Sequence, residues 1–234
     1  MSLKTIIQEA AVLVGVPRPQ VAMAATDLAV QQLVAHAQRE ISSLADEFAW
    51  PTAIGEHKFK TVAASEQPSG LPPDFDRIIN GSMWNRTRNI QVKGPISPQD
   101  WQRAQVEPGV LISEMSWRIR GVRLQLWPVP SKDDEIAFEF VSKRIIQSGP
   151  VKEWVWKTDD DVALIDESLI TLGVIWRFKA AKGLSYDEDM ANYERAKGRI
   201  MAFIGGAPTL HIDGGRCLGG PTDPQVPEGS WGAA

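Results

Sequence analysis

"TDDDVALIDESLITLGVIWRFKAAKG", residues 158–183, carries the strongest helix signals in the chain and decides how the rest is read. Thr158 stands as an N-cap, and Asp159, Asp160 and Asp161 follow where the positive end of a helix favours carboxylates. At the other end Arg177, Lys179 and Lys182 sit where cations are favoured, and Gly183 supplies a residue tolerant of the left-handed turn that ends many helices. The spacing predicts a helix over 159–182. Its apolar residues do not keep to one stripe: Ile165, Leu169, Leu172 and Trp176 form one row, while Ile170, Val174 and Phe178 lie off it. A helix apolar on two sides must be covered on two sides. What covers the second side, the β-region of the same chain or a neighbouring molecule, stays open at this level.

Working outward, "SYDEDMANYERAKGRIMAFIGG" begins with a capping box, Ser185 and Glu188, and carries Tyr186, Met190, Tyr193, Ile200 and Ile204 on one face. Residues 158–204 thus read as a helical hairpin. At the amino terminus, Leu3, Ile6, Ala10, Leu13 and Val14 have helical spacing over 2–14, and Gly15 with Pro17 stops the run. A longer helix follows over about 26–48, with Val30, Val34, Ala37, Ile41, Leu44 and Phe48 as its buried face. Between the helical ends, residues 51–157 change to a β character: "HKFKTVA", "DRIINGSMW", "NIQV", "WRIRG", "VRLQLWPVP" and "DEIAFEFVSK" are short and punctuated by Gly, Pro and Asn. In "VRLQLW", Val122, Leu124 and Leu126 alternate with Arg123, Gln125 and Trp127 and are expected on the core side. One short helix, "SPQDWQRAQ", interrupts the strands, with Ser97 as N-cap and Pro98 at its first position. The fold class is α+β: a helical core in which residues 1–50 pack with 158–204, a β-rich insertion over 51–157, and an extended arm over 205–234.

That arm, "GGAPTLHIDGGRCLGGPTDPQVPEGSWGAA", is about two-fifths Gly and Pro, too rich for a packed domain. Extended, it reaches about 100 Å at ~3.3 Å per residue. It is either disordered or ordered on a partner, with Pro208, Leu210, Ile212, Leu218 and Trp231 as anchors.

Composition narrows the function. The chain has 234 residues and a formal net charge of −4, against the basic balance of a general nucleic-acid binder. Its one cysteine, Cys217, excludes an internal disulfide and fits a reducing compartment. The first residues read as a helix and not as a cleavable leader, and no run is apolar enough to span a membrane. Nine tryptophans stand against two tyrosines, and tryptophan is enriched at interface centres.

No nucleophile elbow, phosphate loop or HExxH is present. His36, His57 and His211 are scattered, and His211, Asp213 and Cys217 lack the paired spacing of a zinc site. The three consecutive aspartates need no ion, since the helix dipole accounts for them. No catalytic, cofactor-binding or metal-ligating residue is assigned.

The ordered fragments "FAWPTAI", "LPPDFDRIINGSMWNR", "ISPQDWQR", "WRIRG", "VRLQLWPVP", "EFVSK" and the two carboxy-terminal helices together resemble the phage head-to-tail adaptor family, neck proteins similar to the tail accessory factor of short-tailed phages. The resemblance covers residues 3–204 and implies a virion component assembled in the host bacterial cytoplasm. It implies a ring of about twelve subunits whose lateral contacts close on themselves, bound below the portal protein and above the next tail or neck protein. The carboxy-terminal arm reaches the portal, and genome DNA passes through the lumen without specific binding. Lateral contacts are expected from Ile170, Val174, Trp176 and Phe178, on the helix that needs two coverings. "LPPDF" reads either as a contact surface or as a rigid turn, with Asp74 and Asp76 exposed. "RNIQVK" and "RIRGVR" read equally as basic stretches facing DNA or as solvated strand faces, and no DNA-binding residue is assigned. The alternative is a virion-associated peptidoglycan hydrolase, which needs only two suitably placed carboxyl groups; Glu47, Glu56 and Asp74 lie near aromatic residues in sequence. A carbohydrate-binding module stacking sugars on Trp84, Trp101, Trp117 or Trp127 leaves the helical hairpin unexplained.

Overall fold

A computed structural model describes residues 2–106 and 115–205. The expected arm anchors Pro208, Leu210, Ile212, Leu218 and Trp231 lie outside the described residues.

Helix α1, Leu3–Leu13, buries Leu3, Ile6, Ile7, Ala10 and Ala11, the i, i+3, i+4, i+7, i+8 pattern of one face. It ends where Gly15 takes a φ of 77°. Helix α2, Leu28–Glu47, starts on Asp27, whose carboxylate accepts a hydrogen bond from the Ala29 amide at 2.8 Å. It buries Val30, Leu33, Ala37, Ile41 and Leu44, close to the predicted face, together with one charged residue, Glu40.

Helix α4, Glu167–Ala181, corrects the reading of 158–183 at its start. Its cap is Asp166, which accepts from the Leu169 amide at 3.2 Å; Asp159, Asp160 and Asp161 precede it. Those residues serve the start of α1 instead. The Leu3 amide donates to the Asp161 carbonyl at 2.8 Å and the Lys4 amide to the Asp159 carbonyl at 3.0 Å, pairing two amides that a helix start leaves without intrahelical partners. The Asp159 carboxylate accepts from the amides of Ala22 and Met23 at 3.0 and 2.7 Å. Its other end is as read, with Lys182 closing the helix and Gly183 at φ 68°. Helix α5, Asp187–Gly205, begins just past the expected capping box, with Asp187, Glu188 and Asp189 in its first turn. Tyr193 and Ala196 are buried, Ile200 and Ile204 pack at the core edge, and Met190 is exposed.

α4 runs through the middle of the helical core, against α1, α2 and α5. Ile170, Val174 and Phe178 are buried there with Leu169 and Ile175. The core that takes them in is built by the helices of the same chain together with Val141, Ile145, Ile146 and Trp156 of the β-region, so these three side chains are buried within the subunit. Trp176 is half-buried, its ring centroid 6.4 and 6.1 Å from those of Tyr186 and Tyr193.

The insertion holds strands β1 Ile54–Lys60, β2 Glu66–Gln67, β3 Phe75–Ile78, β4 Trp84–Asn85 and β5 Ile90–Gln91, helix α3 Pro98–Val106, and strands β6 Ser116–Arg120, β7 Arg123–Trp127 and β8 Glu135–Ser142. Ser97 caps α3 as predicted, its hydroxyl accepting from the Asp100 amide at 3.1 Å. β8 is the central strand. It pairs antiparallel with β1 from Lys60↔Glu135 to Ile54↔Val141, and its other edge takes β3 and then β4, which carries β5. A second sheet, β2-β7-β6, faces the first. Phe59, Met83, Trp117, Leu124, Leu126, Ile136, Phe138 and Phe140 form the β-region core. Val122 departs from its expected alternation at 87 % exposure, because it forms with Gly121 the turn that joins β6 to β7. A third sheet, β10-β9-β11, joins β9 Ile146–Ser148, β10 Val151–Glu153 and β11 Val162–Ala163 beside the helical core.

Candidate assembly surface

Gly173 brings α4 close to α2. A Cβ at this position would fall inside van der Waals contact with the Glu40 carboxylate, so only glycine leaves room for it. Glu40 is fully buried and accepts from Arg177 Nε at 2.5 Å. Burial and the neighbouring Glu40 carboxylate push the Tyr193 phenol well above its usual range. Lys197 of α5 bonds Glu47 at 3.1 Å and Glu194 at 3.0 Å, which fixes the second half of α5 beside the end of α2.

An open groove of about 790 Å³ lies on the β-region between β3, the start of α3, and β6. Pro95 and Ile96 give it an apolar lining over the buried Ile78 and Trp117, and Arg118 and Arg120 of β6 give it charge. The Arg118 guanidinium lies 4.0 Å above the Trp101 ring and donates from Nε to Gln125 at 2.9 Å. Burial, with a smaller contribution from the neighbouring Arg120, lowers the Arg118 pKa. Arg77 at the rim pairs with Asp76 at 2.6 Å and reaches the Ala45 carbonyl of α2 at 3.4 Å. This groove was hidden in "RIRGVR", read as a basic stretch facing DNA or a solvated face; the usable signal was two arginines spaced by two on a strand, with tryptophan beside them.

Apolar side chains also stand in the open. Val12, Leu13 and Leu28 are exposed near the α1–α2 connection. Trp154, next to edge strand β10, is 64 % exposed, and Phe203 on the last turn of α5 is 91 % exposed.

The residues considered for chemistry are held apart in structural pairs. Glu47 bonds Lys197, and Glu56 pairs with Lys58 at 2.8 Å and with Arg86. Asp74 accepts from the Ser142 hydroxyl at 2.6 Å, so the "LPPDF" turn is latched to the end of β8, with Asp74 and Asp76 half-buried instead of exposed. His57 bonds the Ser69 carbonyl at 2.9 Å, and burial with Arg177 and Arg39 nearby lowers the His36 pKa. Among the described residues, no group of three or more His, Cys, Asp or Glu is placed to hold a metal ion, and no helix is long and apolar enough to cross a membrane. Of the four tryptophans considered as sugar platforms, Trp101 and Trp117 are buried in packing.

No curated protein matches the chain. A family model described as SU10 adaptor protein matches residues 1–212, a span that takes in both hydrophobic cores and the groove. By that match the chain belongs to the SU10 adaptor protein family, and it is a phage adaptor, a structural component that associates with other virion proteins.

Proposed function

We propose that the protein is a ring subunit of the phage neck, bound below the portal and joining it to the next tail or neck protein around a channel for DNA. The observation that carries this reading is the family match over residues 1–212, on a chain that exposes Trp154 and Phe203. Large aromatic side chains left in solvent are the usual centres of protein contacts. With Ile170, Val174 and Phe178 taken up by the core, the lateral contacts fall to exposed groups: Val12, Leu13 and Leu28 at one end of the helical region and Trp154 beside β10. A head-to-tail contact between unlike patches closes into a ring when the rotation allows. The segment 205–234, with anchors Pro208, Leu210, Ile212, Leu218 and Trp231, is assigned to the portal, and assembly to the host cytoplasm. The genome meets a chain of net charge −4, suited to passage without tight binding.

The test is capture. Negative-stain images of the chain mixed with its portal are expected to show a ring added to the portal. Deleting residues 207–234 is expected to leave a folded subunit that no longer binds it. Undiminished portal affinity in the truncated protein would remove the arm from the interface.

A further inference from the structure

The residues that follow α5 contain "PTDPQVPE", with Pro221, Pro224 and Pro227 spaced by three. Three residues per turn is the period of the polyproline II helix, so this spacing sets the prolines on one edge. Asp223 and Glu228 stand among them, and over 206–234 three carboxylates, Asp213, Asp223 and Glu228, face a single arginine, Arg216. Such a preformed, extended segment loses little entropy on docking, and carboxylates within it are recognised by clustered arginines.

We propose that in the free chain residues 221–228 dock in the groove of their own molecule, over Pro95 and Ile96, with Asp223 and Glu228 against Arg118 and Arg120. The groove has the chemistry for it. Its rim carries Arg77, Arg118 and Arg120 against one carboxylate, Asp76, which Arg77 already holds. A carboxylate reaching Arg118 and Arg120 relieves their mutual repulsion and forms charge-assisted hydrogen bonds.

The helix that leads into this segment is tied to the same region of the fold. Lys197 bonds Glu47 at the end of α2, and Ala45 in the same turn accepts from Arg77 on the groove's rim. The middle of α5 therefore lies beside the end of α2 that reaches the groove's rim. A glycine-rich connection from Gly205 to Pro221 has an r.m.s. reach of about 22 Å, which sets an effective concentration in the millimolar range for the tethered segment. A tethered segment outcompetes the same segment from another copy at micromolar protein. This goes beyond the portal assignment: it gives the arm a resting place in the absence of any partner, and its test needs no portal.

Cys217, the chain's one cysteine, lies just before Pro221 and makes the test direct in the full-length protein. A benzophenone maleimide on Cys217 is photoactivated at low micromolar protein, and the insertion sites are mapped by mass spectrometry. Monomeric product with insertion concentrated on β6 and on the 94–98 segment is expected. Replacing Pro221, Pro224 and Pro227 by Ala should lower that insertion about tenfold, because the looser segment has more conformational entropy to lose on docking. Arg118→Ala with Arg120→Ala should do the same. Insertion scattered over the surface, insertion unchanged in the proline variant, or product that is chiefly intermolecular each overturns the proposal.

Discussion

Glu40 shows how much one charged side chain can constrain. A carboxylate buried without its partner costs several kcal/mol, so Arg177 and Gly173 are conditions of Glu40 being where it is. Glu40→Ala is expected to destabilise the fold by about 3 kcal/mol, measured as the shift in denaturation midpoint at constant slope. Glu40→Leu combined with Arg177→Met should cost clearly less than Glu40→Ala alone, because no unpaired charge is left behind. Equal or additive losses would show that the pair is not coupled. Gly173→Ala should lose about 2 kcal/mol by forcing α2 and α4 apart, although alanine is the better helix former. Nothing in the periodicity announces this pair: Glu40 lies within the apolar stripe of α2, between Ala37 and Ile41, and only contact with Arg177 gives it a reason to be buried.

At the scale of elements, the run of three aspartates shows where sequence reasoning gave way. The apolar periodicity of α1, α2, α4 and α5 was legible because each helix buries a face. The carboxy-terminal stop of α4 was legible because glycine at φ 68° is a local demand. The start of α4 was not, because two positions, Thr158 and Asp166, offer equally good local caps. The choice is made by distant partners: the first amides of α1 and the amides of Ala22 and Met23. The groove was illegible for a related reason, since it forms where β3, α3 and β6 meet from separate parts of the chain.

Asp161 is the key to that junction. Burial alone would raise its carboxyl, but hydrogen bonds from the Thr158 hydroxyl and the amides of Lys157 and Thr158 outweigh burial and hold it below the ordinary value. A carboxyl so lowered stabilises the folded chain fully above the unfolded value of about 3.9, and the contribution is lost as pH falls through the lower folded value. Asp161→Asn should therefore cost about 1 kcal/mol near neutral pH, with the gap to the unsubstituted chain closing below about pH 4. A gap that stays constant through acid would assign the loss to packing and not to charge.

For the whole molecule, the α+β class and the packing of the terminal helices into one core were readable from where the period changed along the chain. What covers α4 was not, since periodicity gives the faces of a helix and not their neighbours. Its burial within the chain makes the subunit self-sufficient, with two filled cores. The isolated protein is accordingly expected to sediment as a monomer at micromolar concentration, with rings forming only on a platform that orients many copies together. Stable closed rings in the absence of any partner would contradict this.

β8 contributes Val141 to the helical core and Phe138 and Phe140 to the other, so a single strand is anchored in both. Mechanically it is a tie-rod. A pull that tries to part the two regions is transmitted along the strand into its seven-residue partner β1, loading the rungs of that ladder together instead of peeling them in turn. Stress arriving at one end of the molecule is thereby handed to the other before either can yield alone.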